Sequence, residues 1–187
     1  MGSKEKLYVH ITALHLEVTG SCLLVVVHLP NGRKIKFIVD CGLFQEKLYN
    51  ELNKLDFPFS SEDIEFVLTK YGFHGKIFAT KSTSKLLRIS LSNSYQIMKE
   101  DSQRQKSKPL YEEEDVERVF EYLEPCDINE EIQISPNIKI TYFDNGHIIG
   151  AGMILVQISY PGEQDINLFF TGDYKPYNIF KDVQPVP

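Results

Sequence analysis

The sequence predicts a mixed α/β fold, with strands at both ends of the chain and helices in the middle. Three observations carry this prediction. The β-branched apolar runs "SCLLVVVHL" and "KIKFIVD" lie near the start and are joined through "PNG", where Asn31-Gly32 is a strong short hairpin signal. Two central segments, "STSKLLRISLSNSYQIMKEDSQRQ" and "EEEDVERVFEYLE", carry apolar residues at helical spacing. Four strand-like runs follow, "EIQIS", "IKITYF", "MILVQIS" and "INLFF", with "SPN" and "YPGEQD" as turns.

Taken in order, residues 22–40 open the chain as a hairpin or meander. Residues 41–59 are a polar and aromatic connection with room for a short helix, stopped by Pro58. "SSED" then leads into an apolar run at 64–68 that reads as a buried strand, and a second short run at 77–79 follows almost at once. Leu86, Leu87, Ile89, Leu91, Tyr95, Ile97 and Met98 predict one long helix, with Ser and Thr supplying its N-cap. The second helix begins with acidic residues that complement a helix N-terminus, and Val116, Val119, Phe120 and Leu123 give it one apolar face. The last residues, "KPYNIFKDVQPVP", carry three prolines and no clear period. Residues 1–176 are therefore expected to form the domain, and 177–187 an extended tail or severed linker.

The 187 residues are 42% apolar, enough for one domain of ordinary size with a real core. No apolar run approaches the roughly 20 residues of a membrane-spanning helix, and no signal segment opens the chain, so the expected location is cytoplasmic, with no membrane partner. The net charge of −6, from 26 acidic and 20 basic residues, argues against a protein that coats duplex nucleic acid. It leaves room for a nucleic-acid enzyme with a locally basic or metal-bearing cleft. Cys22, Cys41 and Cys126 are odd in number and widely spaced, which argues against a disulfide framework or a cysteine zinc site. Apolar neighbours make Cys22 and Cys41 read as small core residues.

Three short stretches hold groups with chemistry. "FIVDCG" and "LFFTGD" end apolar strands in Asp40 and Asp173 beside glycine, where a rigid element aims a carboxylate and the loop can turn. Asp is equally what an ordinary turn supplies. "FDNGHIIGAG" sets His147 among Gly146, Gly150 and Gly152, which suits a metal ligand or acid/base as well as a turn histidine bonded to a carbonyl.

The order "EVTGSC", "VDCGLFQ", "GHIIGAG", "FFTGD" resembles the metallo-β-lactamase fold, and specifically its β-CASP branch of RNA and DNA nucleases, such as ribonuclease J and the mRNA 3′-end cleavage nuclease. The resemblance runs from about Tyr8 to Pro176. It implies the amino-terminal part of an αββα-type fold, mixed β-sheets flanked by helices. It also implies that His147 binds one metal, that Asp173 bridges two metals, usually zinc, and that Asp40 supports the site from behind. RNA or DNA is the implied substrate, and hydrolysis of a phosphodiester the implied reaction.

The family's H-x-H-x-D-H sequence is absent. It would follow the run ending at Thr69, yet Lys70 begins sequence similar to what lies beyond it, so roughly fifteen residues are missing by this comparison. His74 falls at a variable position of the family and reads as a turn histidine. His15 stands where relatives have small residues and is a remote candidate ligand. His147 and Asp173 supply two ligands where a catalytic zinc takes three, so zinc is expected to bind weakly or not at all, and no complete catalytic set is expected.

Two readings follow, ahead of a third in which the chain is an unrelated α/β binding module and its short motifs are coincidences. One is the amino-terminal portion of a β-CASP-like nuclease, inactive alone. The other is a non-catalytic scaffold within an RNA-processing complex. The absent block would also uncover a sheet face, leaving an apolar patch for a protein partner.

Overall fold

A computed structural model of the chain describes residues 6–15, 22–40, 59–60, 63–65 and 75–175. The α/β class expected from the sequence is observed, with three sheets and two helices among these residues. They fall into two compact units, one within Met1–Ile77 and Ile89–Leu123, the other within Phe78–Arg88 and Glu124–Pro187.

The first unit opens with an antiparallel meander of β1 (Tyr8–His15), β2 (Cys22–His28) and β3 (Lys34–Val39). Side chains alternate across a strand, so Val25, Val27, Ile35 and Phe37 all fall on one face, and all are buried. The other face changes character along its length. At one end Cys22 and Ile38 pack with Ile64 and Ile77, against partly buried Leu14, Phe59 and Val119. At the other end the row Tyr8, His28, Lys34 runs directly across the three strands.

The "PNG" hairpin is present, but Asn31-Gly32 does not form a two-residue turn. Gly32 N–H donates to Leu29 O, Leu29 N–H donates to Arg33 O, and only Gly32 in the connection has a positive φ, +83°. Such a connection is a turn with Pro30 as its second residue, followed by a left-handed glycine. Proline's fixed φ suits that position.

The long helix α1 (Lys81–Gln105) is as the spacing predicts, but its cap lies two residues before the Ser and Thr run. Thr80, the last residue of β4 (Ile77–Thr80), accepts the Thr83 N–H at 3.1 Å and satisfies one donor of the first turn. Of its apolar residues Tyr95 is buried, whereas Leu86, Ile89 and Ile97 are 48, 71 and 55% exposed. Helix α2 (Glu113–Tyr122) starts where Asp115 accepts the Glu112 N–H at 2.9 Å, and buries Val116.

The chain then enters β5 (Leu123–Cys126), which pairs with β4. Sequence pattern missed this strand, because Pro125 lies in a run of four residues; proline is tolerated where it interrupts no interior ladder. The four predicted strands follow as an antiparallel meander: β6 (Glu131–Ser135), β7 (Ile138–Asp144), β8 (Gly152–Ile158) and β9 (Ile166–Phe170). Ile138, Ile140, Val156 and Ile158 form its buried face.

The connection at 41–58, most of the run at 64–68, the Thr69–Lys70 junction, His74, Cys41 and the tail 177–187 lie outside the described residues. Ile64 is described and is 3% exposed, and Glu65 N–H donates to Lys36 O. Among the described residues, no helix is long and apolar enough to cross a membrane.

Candidate functional site

The connection between β7 and β8, residues 145–151, carries His147. Its shape is set locally by two side chains that each accept a backbone N–H two residues on. Asp144 accepts from Gly146 at 2.9 Å and Asn145 accepts from His147 at 3.1 Å. Gly146 lies at φ +68°, which glycine adopts without Cβ strain. The loop closes where Ala151 N–H donates to Ile148 O. His147 is half-buried, while Ile148 and Ile149 beside it are exposed.

Two anchors hold this loop. The first is Gly150, whose carbonyl accepts hydrogen bonds from both Thr80 Oγ1 and Thr83 Oγ1, each at 2.7 Å. A carbonyl has two acceptor lone pairs, and both are engaged. At φ +91°, a Cβ on residue 150 would stand 2.8 Å from Thr83 N and Thr83 Oγ1, so only glycine lets the loop seat here. The second anchor is Asn145, 3% exposed. Its side-chain amide donates to Asp173 O at 2.9 Å, and its own carbonyl accepts the Lys175 N–H at 2.9 Å. The His147 loop and the Asp173 loop are thereby joined through one buried side chain.

Asp173 follows β9 with its side chain exposed, after Gly172 at φ +54°. Asp40 follows β3 at φ +57°, a left-handed conformation that Asp tolerates better than most residues, and it is exposed. Asp40 belongs to the first compact unit, His147 and Asp173 to the second. His15 ends β1, with its backbone opposite Cys22 across an irregular step in the register.

The described residues do not fit a metal centre. Among them no three His, Cys, Asp or Glu side chains gather closely enough to hold an ion, and a catalytic zinc takes three protein ligands. Near the foot of α1, Cys126 is buried and its thiol is pushed up to about 11 by burial, with Ala79 and nearby carboxylates as lesser influences. Lys81 pairs with Asp127, which raises its pKa, and both lie at the surface.

Thr80, Thr83 and Asn145 escaped sequence reasoning. The signal for the threonines was present, since "AT" closes a strand just before a helix, the position of an N-cap. The Asn145 signal was not, because Asn before Gly reads as a plain turn.

No family model matches the chain. It is 34% identical to endoribonuclease ysh-1 of Neurospora crassa over 176 positions, covering 84% of this chain and 19% of that protein. Ribonuclease TTHA0252 of Thermus thermophilus is 28% identical over 186 positions, covering 91% and 38%. Transcription termination factor FttA of Methanocaldococcus jannaschii is 29% identical over 175 positions, covering 85% and 26%. The chain thus spans well under half the length of these relatives. The Neurospora match runs 176 positions while taking in 84% of 187 residues, about 157, so about 19 positions of that relative have no counterpart here. The Thermus match, with 186 positions against about 170 residues, leaves about 16. Among solved structures, a subclass B3 metallo-β-lactamase from a soil metagenome library aligns at TM-score 0.41 and 15% identity, over 82% of this chain and 61% of that one.

Proposed function

We propose that this chain corresponds to the amino-terminal part of a β-CASP ribonuclease of the metallo-β-lactamase fold, a portion of a phosphodiester hydrolase acting on RNA that is inactive by itself; the ribonucleases it is similar to support this reading. The observation that supports this is the pair of features in the alignments: similarity across nearly all of the chain, and a deficit of about 16 to 19 positions. A deficit of that size matches the block that would hold H-x-H-x-D-H and its helix. On this reading His147 and Asp173 are the two metal ligands that remain, and Asp40 supports the site. The metals concerned are zinc, and a cytoplasmic location goes with the reading.

A non-catalytic scaffold is the second reading, and it accords with the lack, among the described residues, of three His, Cys, Asp or Glu side chains close enough to hold an ion. The retained "GHIIGAG" and "FFTGD" count against it, since a scaffold has no chemical need for a paired His and Asp loop. Either form leaves an apolar surface that a protein partner would cover.

The test inserts an H-x-H-x-D-H helical block between Thr69 and Lys70 and compares the two proteins for zinc content and RNA cleavage. The restored protein is expected to hold about two zinc ions and to cut RNA, and the present chain to do neither. Equal zinc in both overturns the ligand count.

A further inference from the structure

At the Tyr8 end of the β1-β2-β3 sheet, the face that carries Cys22 and Ile38 at its other end bears three aromatic rings in mutual contact. Tyr8 stacks on His28 at 4.2 Å between centroids with the planes 12° apart, and His10 meets both edge-on, at 5.6 and 5.5 Å. Tyr8 is 43% exposed and His10 is exposed. These rings fill no core, because the core at this end lies on the opposite face, where Val27 and Ile35 are fully buried. Their position comes from register: Tyr8 faces His28 and His28 faces Lys34, so all three share one side of the sheet.

We propose that this face binds single-stranded RNA by stacking a base on Tyr8. Strands lie about 4.8 Å apart, so rings on neighbouring strands stand as a pile running across the sheet. The pile begins at His28 on the central strand and reaches Tyr8 on β1, an edge strand among the described residues. One further strand-width outward is where a flat base continues the stack. Charge matches this occupant. Lys6 precedes Tyr8 by two residues and Lys34 ends the same row on β3, where two neighbouring acidic side chains are already matched, Asp63 by Lys36 at 2.8 Å and Glu65 by Arg33 at 3.2 Å. Exposed aromatic rings beside lysines that have no ion pair among the described residues suit single-stranded nucleic acid, since every base has a stacking face. The choice of RNA rests on the proposed function; the stacking geometry does not.

The experiment uses the chain as it is, in EDTA, with a fluorescently labelled ten-nucleotide oligouridylate and an abasic oligonucleotide of equal charge, read by anisotropy. The intact protein is expected to prefer the oligouridylate. Tyr8→Ala is expected to weaken its binding about tenfold while leaving the abasic probe unchanged, and Tyr8→Phe to bind as the parent does, because the ring and not the hydroxyl is used. Lys34→Glu is expected to weaken both probes and flatten the salt dependence. Thermal melts of all variants matching the parent show that the fold is kept, and Tyr8→Phe preserves the ring if Tyr8→Ala does not fold. Equal affinity for the two probes, equal binding by Tyr8→Ala, or no binding by the parent overturns the proposal. These outcomes leave the zinc and cleavage comparison untouched, so failure of one reading is distinguishable from failure of the other.

Discussion

The side-chain amide of Asn145 donates a 2.9 Å hydrogen bond to the backbone carbonyl of Asp173. The same side chain accepts the His147 N–H, so one buried residue fixes both ends of the candidate site. Asn145→Ala is expected to destabilise the protein by about 1 kcal/mol, since it removes two part-buried hydrogen bonds, to the His147 N–H and the Asp173 carbonyl. Urea unfolding measures the loss. Hydrogen exchange should show faster exchange at His147, whose N–H loses its side-chain acceptor, with less change at Lys175, whose N–H bonds the Asn145 backbone carbonyl that alanine keeps; unchanged exchange at His147 would contradict the role given to Asn145.

Gly150 offers a second test of the same loop. Gly150→Ala places a methyl group 2.8 Å from Thr83 N and requires a φ of +91° that alanine resists. A loss of more than about 1 kcal/mol is expected. Gly32→Ala has the same backbone problem at φ +83° but no neighbour within 4 Å, so it should cost less. Equal losses at the two positions would show that packing against Thr83 contributes nothing.

Cys126 predicts a pH effect at the alkaline end. Burial moves its thiol from 9.0 to about 11, so between these values the folded chain keeps a proton that the unfolded chain releases. Its contribution is therefore complete below pH 9 and declines as pH rises toward 11, at up to about 1.4 kcal/mol per pH unit. Unfolding of the parent and of Cys126→Ala, compared from pH 8 to 11, should show the parent losing more stability as pH rises. Parallel curves would contradict the raised value.

Leu86, Ile89 and Ile97 form an exposed apolar stripe on α1, at spacings of three and eight residues that keep one helix face. Replacing Ile89 and Ile97 by Lys should leave stability within about 0.5 kcal/mol per site, because little apolar surface is withdrawn from packing. Sedimentation at rising concentration should show less self-association in the double variant. Marked destabilisation would mean that these side chains are packed.

The sequence by itself determined the elements whose signal is local. Alternation in "VVVHL" and "KIKFIV", helical spacing from Leu86 to Met98, and acid residues before Val116 each specify a conformation through neighbours a few positions away. The four closing strands were legible for the same reason. Strand β5 was not, since Pro125 argues against a strand unless the ladder it would interrupt lies elsewhere. The hairpin at Gly32 was placed by its sequence signal, and its turn type followed only from the structure, because the position of Pro30 within it decides which residue must be left-handed.

For the candidate site, the sequence marked His147, Asp173 and Asp40 by residue type and loop position, and by resemblance assigned their roles. Only the tertiary structure could show that Asn145 ties two of those loops together, or that Thr80 and Thr83, some 70 residues before Gly150, hold its carbonyl. Hydrogen bonds of that kind depend on where sheet register and helix docking bring distant backbone groups, and a one-dimensional pattern carries no record of them. The pile of Tyr8, His10 and His28 belongs to the same class. Each ring is visible in the sequence, and their contact exists because β1 and β2 pair in one register and no other.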